Sequence, residues 1–243
     1  GALTNLAATV GRQGRQQDAL ALYREALPIY ERAGHNARLA LVLQNMGSMY
    51  LDLRIYDAAE QALGRSVATR EAIYGATHPQ LVLPLVGLSR IHVAQQRWQD
   101  AQAFLERARE ITDAHLANTR AVGVVRSVMA DVARGRGELE RAHELYAEAL
   151  AAFRRADDRA QFDVALTYED SAEVLLALHR PDEALRAAEA GIAELGTDAV
   201  RDSEVPEHLA RIVTAAKQAI GAKGRRAQGP RGRLGDRTTR SGG

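Results

Sequence analysis

The chain contains no cysteine, which excludes disulfide staples, thiolate-held zinc or iron–sulfur sites and a thiol nucleophile. An excess of one charge is missing too. Lys and Arg number 32 against 31 Asp and Glu, for a formal charge of +1. A globally basic nucleic-acid binder and a strongly acidic, solvating chain are both disfavoured. No run of 18 consecutive apolar residues occurs, so no membrane-spanning helix is expected. The chain opens at Gly1 with neither Met nor a charged–apolar–small signal pattern, as expected of a piece trimmed from a longer protein. What is present is 243 residues, 46% of them apolar, enough for one or two domains with a continuous core.

One phrase recurs along that length. A short polar or Gly-containing turn is followed by Ala, an apolar or aromatic residue four positions on, and a small residue seven on. It reads Ala19–Tyr23–Ala26, Ala59–Leu63–Ser66, Ala101–Leu105–Ala108, Ala142–Tyr146–Ala149 and Ala184–Ala188–Gly191. The five Ala residues lie 40, 42, 41 and 42 apart, a period that marks a repeat architecture. Thirteen residues before each Ala stands a second anchor with a partner three earlier, as in Leu43/Met46 and Leu85/Leu88. Spacings of three, four and seven place these side chains on one stripe of a helix. Each unit therefore reads as helix, tight turn, helix, with breakers at Gly14, Gly34, Gly75, Gly135, Gly137, Pro181 and Gly196.

The stretch Tyr56-Asp57-Ala58-Ala59-Glu60, then Arg70-Glu71, Gly75 and His78-Pro79, resembles the tetratricopeptide repeat in the long-period form of kinesin light chains. The resemblance covers roughly residues 2–195. It implies an all-α fold: a right-handed superhelical solenoid of five helix pairs, at about 2–34, 35–75, 76–113, 114–156 and 157–196. The fifth unit departs from the pattern, with Ser171 and Ala172 where the family prefers Leu and Gly, and Gly191 ending its second helix. Loose packing of that unit is the expectation.

A solenoid contacts only sequence neighbours, so its ends need caps. Residues 203–220 supply one, with Leu209, Ile212, Val213, Ala216 and Ile220 on one stripe and Pro206 in the first turn. The first unit begins at once with Ala2, Leu3 and Leu6. Further repeats or another domain on the N-terminal side are expected, as is self-association through that face. The solenoid is thus assigned to residues 1–221. In residues 222–243 seven cations face one acid, Asp236, for a net +6 against the whole chain's +1, leaving −5 on the body. With so little apolar surface this stretch is expected to be a disordered basic tail.

Enzyme motifs fail on their mechanical requirements. The Gly221-Ala222-Lys223-Gly224 run lacks the spacing of a phosphate loop, and no nucleophile elbow or dinucleotide fingerprint occurs. His143-Glu144 begins like a zinc helix, but the position four after His143 is Ala147. His78 reads as a turn residue before Pro79, and His92 as a core residue in the aromatic slot of its repeat. No catalysis, cofactor or metal is expected.

The resemblance also implies a concave groove lined by the first helices of the units. Its positions fall on Thr4, Asn5, Ala8 and Arg12, then Gln44, Asn45, Ser48 and Asp52, then Val86, Gly87 and Arg90. The last two units contribute Ser127, Asp131 and Arg134, and Glu169, Asp170 and Glu173. The candidate ligand-binding set is Asn5, Arg12, Gln44, Asn45, Arg90, Asp131, Glu169, Asp170 and Glu173. Asn5 and Asn45 are one repeat apart, and family members use Asn there to hold a peptide backbone. Arg12 and Arg90 suit a ligand carboxylate, while Glu169, Asp170 and Glu173 suit a basic end. The expected function is a cytoplasmic, non-enzymatic protein–protein interaction scaffold that binds a peptide or partner segment, a regulatory arm of a larger protein. Two alternatives stay open: association of the basic tail with nucleic acid or another acidic surface, and a self-stacking assembly module.

Overall fold

The recurring Ala phrase opens the second helix of every unit. The computed structural model describes residues 1–156, 161–195 and 204–227. They form five helix pairs: α1 (Ala2–Arg12) with α2 (Gln16–Arg32), α3 (Asn36–Asp52) with α4 (Tyr56–Tyr74), and α5 (Val82–Ala94) with α6 (Trp98–His115). Then come α7 (Arg120–Gly135) with α8 (Leu139–Arg155), α9 (Gln161–Ala177) with α10 (Pro181–Leu195), and a last helix, α11 (Val205–Ala227). In each pair the repeated Ala is the fourth residue of the second helix, and all five are 0% exposed. A methyl group at that place lets the partner helix approach closely, while Tyr23, Leu63, Leu105 and Tyr146 one turn later fill the space beyond it.

The turn inside each pair is also repeated. Gly14, Arg54, Gln96, Gly137 and His179 all have positive φ, between 57° and 80°. Each stands two residues before its second helix. The N–H of the next residue reaches back to the first helix, as in Ile55 N to Tyr50 O at 2.8 Å and Glu138 N to Ala133 O at 2.9 Å. The left-handed residue's own N–H bonds three residues back, as in Gln96 N to Val93 O at 3.0 Å. This is a Schellman closure, in which one left-handed residue satisfies the final carbonyls of a helix.

Each helix packs on its neighbour in sequence, and each first helix also touches the first helix of the next pair. Among the described residues the backbones of successive second helices do not come this close, and long side chains bridge them instead, as Arg65 of α4 does to Glu31 of α2 at 2.6 Å. The stack is therefore tighter along the first helices, and that side is the concave one. A single core runs from Ala7 through the first three units to Val125, Val128 and Val132 of α7, followed by smaller clusters around α8 to α11. Leu63 is approached closely from two helices, where a Cβ on Gly47 would lie 2.5 Å from its Cγ and one on Gly87 2.8 Å from its Cδ1. Trp98 lies across Gly135, joining the third unit to the fourth. His78 caps the 3-10 turn Pro79–Leu81 by accepting from Gln80 N, and stacks on Tyr74. His92 is buried and stacks on Phe104.

Two expectations change. The fifth unit is not loosely packed: Ala165, Ala172 and Ala188 share a buried cluster with Val205, Leu209 and Ile212 of α11. Gly191 lies so close to Tyr168 and Leu209 that a Cβ there would sit 3.0–3.2 Å from them. Small residues draw the last helix in. Residues 222–227, assigned by composition to the tail, continue α11, because Ala222 and Lys223 are good helix formers and a helix already anchored by packing extends at little cost. Residues 157–160, 196–203 and 228–243 lie outside the described residues, and with them the rest of the expected tail.

Non-glycine residues at the left-handed turn position are strained, so Arg54→Gly or Gln96→Gly should stabilise the chain by about 0.5–1 kcal/mol each. Gly14→Ala or Gly137→Ala should cost about 1 kcal/mol. Denaturant unfolding midpoints of the four variants check both directions.

Candidate binding groove

The concave wall is built from what the first helices do not bury. On α3, Leu39, Val42, Leu43 and Met46 face the core, which leaves Leu41, Gln44, Asn45, Ser48 and Asp52 on the free stripe at helical spacing. On α5 the same stripe carries Leu83 and Arg90, while Gly87, at the place of Asn45, lies against Leu63, where an added Cβ would be 2.8 Å from Cδ1. Leu41 and Leu83 are one repeat apart, and they are 45% and 55% exposed. The groove is thus apolar at the N-terminal ends of α3 and α5 and polar toward their C-terminal ends.

The predicted residues do not share one environment. Asn5 is exposed on α1 with no side-chain hydrogen bond among the described residues, and Arg12 donates to Thr9 Oγ1 at 3.3 Å. Thr4 turns inward to the hydroxyl of Tyr30 at 2.7 Å. One repeat later, Gln44 accepts from Arg70 Nη2 at 2.8 Å and Asn45 Nδ2 donates to the Tyr23 hydroxyl at 2.9 Å. Burial raises the Tyr23 pKa, with Asn45 and then Arg12 opposing. Asn5 and Asn45 are therefore equivalent in position and different in state.

The remaining candidates form an electrostatic relay across α3, α5, α7 and α9. Arg90 is exposed and makes no direct ion pair among the described residues, but its charge acts on both Asp52 and Asp131. Burial raises the Asp52 pKa, opposed by Arg90. Asp131 accepts from the Tyr146 hydroxyl at 2.6 Å. Burial raises its pKa, opposed by that bond and by Arg134 and Arg90. Arg134 crosses from α7 to α9, pairing with Asp170 at 2.9 Å and Glu173 at 3.0 Å. Burial opposes its charge, but the fields of Tyr146, Asp170, Asp131 and Glu173 outweigh that and raise its pKa. Burial, with repulsion from Asp131, lifts Asp170 to about 7 despite Arg134. Glu169 adds to the repulsion on Asp170 and pairs with His208 of α11 at 2.8 Å.

Arg90, Asp131, Asp170 and Glu173 are thus brought together with Glu169 at their edge, Gln44 and Asn45 stand side by side with Arg12 acting on the same Tyr23, and Asn5 stands apart. The acids of the fifth unit are not bare: Arg134 reaches Asp170 and Glu173, and His208 reaches Glu169 Oε1, while the buried Glu169 Oε2 has no partner among the described residues. Reading the sequence by position overlooked Arg70, Tyr23, Tyr146 and His208. A signal existed for the two tyrosines, which hold the slot occupied by Leu63 and Leu105 in the second and third units.

Sequence models of the tetratricopeptide repeat match residues 1–33 and 37–114. The chain is a tetratricopeptide-repeat protein. Its solenoid resembles that of a putative kinesin light chain of Podosopora anserina with nearly identical TPR-like repeats, at 18% identity and a TM-score of 0.63 over 80% of this chain and 93% of that one. BtubC (BKLC) from P. vanneervenii matches at 18% identity and 0.63, over 99% and 97%. A Rap protein complexed with Competence and Sporulation Factor matches at 12% and 0.75, over 93% and 65%. The RxLR effector protein SFI4 of Phytophthora infestans (strain T30-4) is 27% identical over 172 residues, 70% of this chain and 51% of its own length. The chain thus spans about half of that relative. Among the described residues no helix is long and apolar enough to cross a membrane. The tetratricopeptide-repeat fold is, in general, a protein–protein interaction scaffold.

The raised pKa of Asp170 gives a pH dependence to this tetratricopeptide-repeat protein. Folding lifts the carboxyl from 3.8 to about 7, so the native state holds that proton more firmly than the unfolded chain does. Its contribution is fully present below about pH 4 and is lost as pH rises through about 7. Asp170→Asn should therefore gain Tm relative to the parent as pH goes from 5 to 8. Thermal unfolding at the two pH values checks this, and an advantage that is larger at pH 5 would contradict the assignment.

Proposed function

We propose that the chain binds a segment of a partner protein along the concave stripe of α3, α5 and α7, without catalysing a reaction, as the recognition arm of a larger cytoplasmic protein. One observation carries this reading. Leu41 and Leu83 are exposed one repeat apart, on the same helical stripe as Asn45 and the exposed Arg90. Exposed leucines beside polar groups on a curved wall suit a partner that supplies both an apolar side chain and hydrogen-bonding backbone. Asn5 and Arg12 extend the polar stripe into the first unit. The Rap protein of related fold, solved with Competence and Sporulation Factor, supports the idea that such a solenoid can hold a bound factor.

A second reading has an observation of its own. Leu6 of α1 is 52% exposed, which favours self-association through the outer face of the first unit. Leu6→Glu should then abolish any concentration-dependent mass in sedimentation, and would leave ligand binding unchanged.

For the groove, the test is affinity capture from source lysate with the full chain, Leu83→Asp and Arg90→Ala. Both substitutions sit on exposed groups, so the helical content and Tm should stay within error of the parent. Capture should fall by about tenfold or more with each, the scale of losing a central contact. Equal capture by all three baits would remove the groove from the account.

A further inference from the structure

Arg70 of α4 is 4% exposed, and its guanidinium meets no carboxylate among the described residues. Its Nη1 donates to Ala40 O at 3.2 Å and to Ser66 Oγ, and its Nη2 donates to Gln44 Oε1 at 2.8 Å. Its Nε has no partner among the described residues. A buried cation with no counter-ion is costly unless every neighbouring dipole is turned toward it. Here the neighbours are a backbone carbonyl, a hydroxyl and the amide oxygen of Gln44. Arginine carries only donors, so the Gln44 amide has a single orientation that satisfies the pair, with oxygen inward and NH2 outward.

That orientation reaches the groove. Gln44 Nε2 has no partner among the described residues, so its two N–H groups face the free stripe of α3. The adjacent Asn45 is held in the opposite sense, spending its NH2 on the Tyr23 hydroxyl and leaving its Oδ1 outward. We propose that Arg70 is a positioning residue for ligand recognition, fixing Gln44 as a hydrogen-bond donor beside Asn45 as an acceptor. The two side chains then accommodate a backbone carbonyl and a backbone N–H of one extended segment. This rests on the groove reading above and adds to it a fixed donor–acceptor order, set from behind the wall by two second-helix residues.

The test uses peptides selected from a random phage-displayed library on the full chain, with their affinities measured on the parent, Asn45→Ala, Gln44→Glu and Arg70→Met. Gln44→Glu is the informative variant. It gives Arg70 the carboxylate it lacks, so Tm should rise. It also replaces the outward donor with an acceptor, so peptide affinity should fall about tenfold or more. A structural role alone would move stability and affinity in the same direction. Arg70→Met should weaken binding while Gln44 loses its fixed orientation, and if that variant does not fold, Gln44→Glu decides the matter. Peptides that depend on Asn45 but bind Gln44→Glu as tightly as the parent overturn this inference and leave the groove standing. A library yielding no peptide sensitive to Asn45 overturns the groove reading and this inference with it.

Discussion

Everything in this molecule depends on the close approach of two helices at one small residue. The fourth residue of each second helix is an alanine with no exposed surface, and any larger side chain there would push its partner helix outward. Because that contact repeats every 40–42 residues, so does the turn that feeds it, left-handed residue included. Neighbour packing then propagates along the chain from each unit to the next. Curvature follows from the same rule: among the described residues the backbones of first helices come together across unit boundaries, and those of second helices stay farther apart.

The groove is a by-product of that packing. Once the core stripe of each first helix is committed, the opposite stripe is available for whatever chemistry the sequence places there. In the first three units that stripe keeps unused groups: Asn5, the outward face of Gln44, Arg90, and the exposed Leu41 and Leu83. In the last two units it closes on itself, as Arg134 gathers Asp131, Asp170 and Glu173 and His208 takes Glu169. The wall therefore has an open half and a half drawn together around Arg134 and His208, a division set by whether a cation from one helix reaches carboxylates on the next.

The fold was legible in the sequence because a repeat states its geometry five times over. Each Ala, its partner four residues on and the turn before it fell where the spacing placed them. The groove stripe was legible for a related reason, since burial of one helix face fixes the other. What escaped was the state of each polar side chain. Position alone placed Asn5 and Asn45 alike, yet Asn45 is tied to Tyr23, a residue 22 positions earlier. The acids of the fifth unit looked available because Arg134 lies 39 residues before Glu173, and only the stacked helices bring them together. The fifth unit looked loose because its small residues depart from the family pattern, whereas they are what admits α11.

Site-specific photocrosslinking tests the central claim, that the open half of the concave wall is the recognition surface. A photoreactive amino acid would be placed at Leu41, at Leu83, and at Glu110, an exposed position on a second helix. The account predicts that one partner protein crosslinks in lysate from both leucine positions and not from Glu110. Crosslinking from Glu110 alone, with both leucine positions silent, would contradict it.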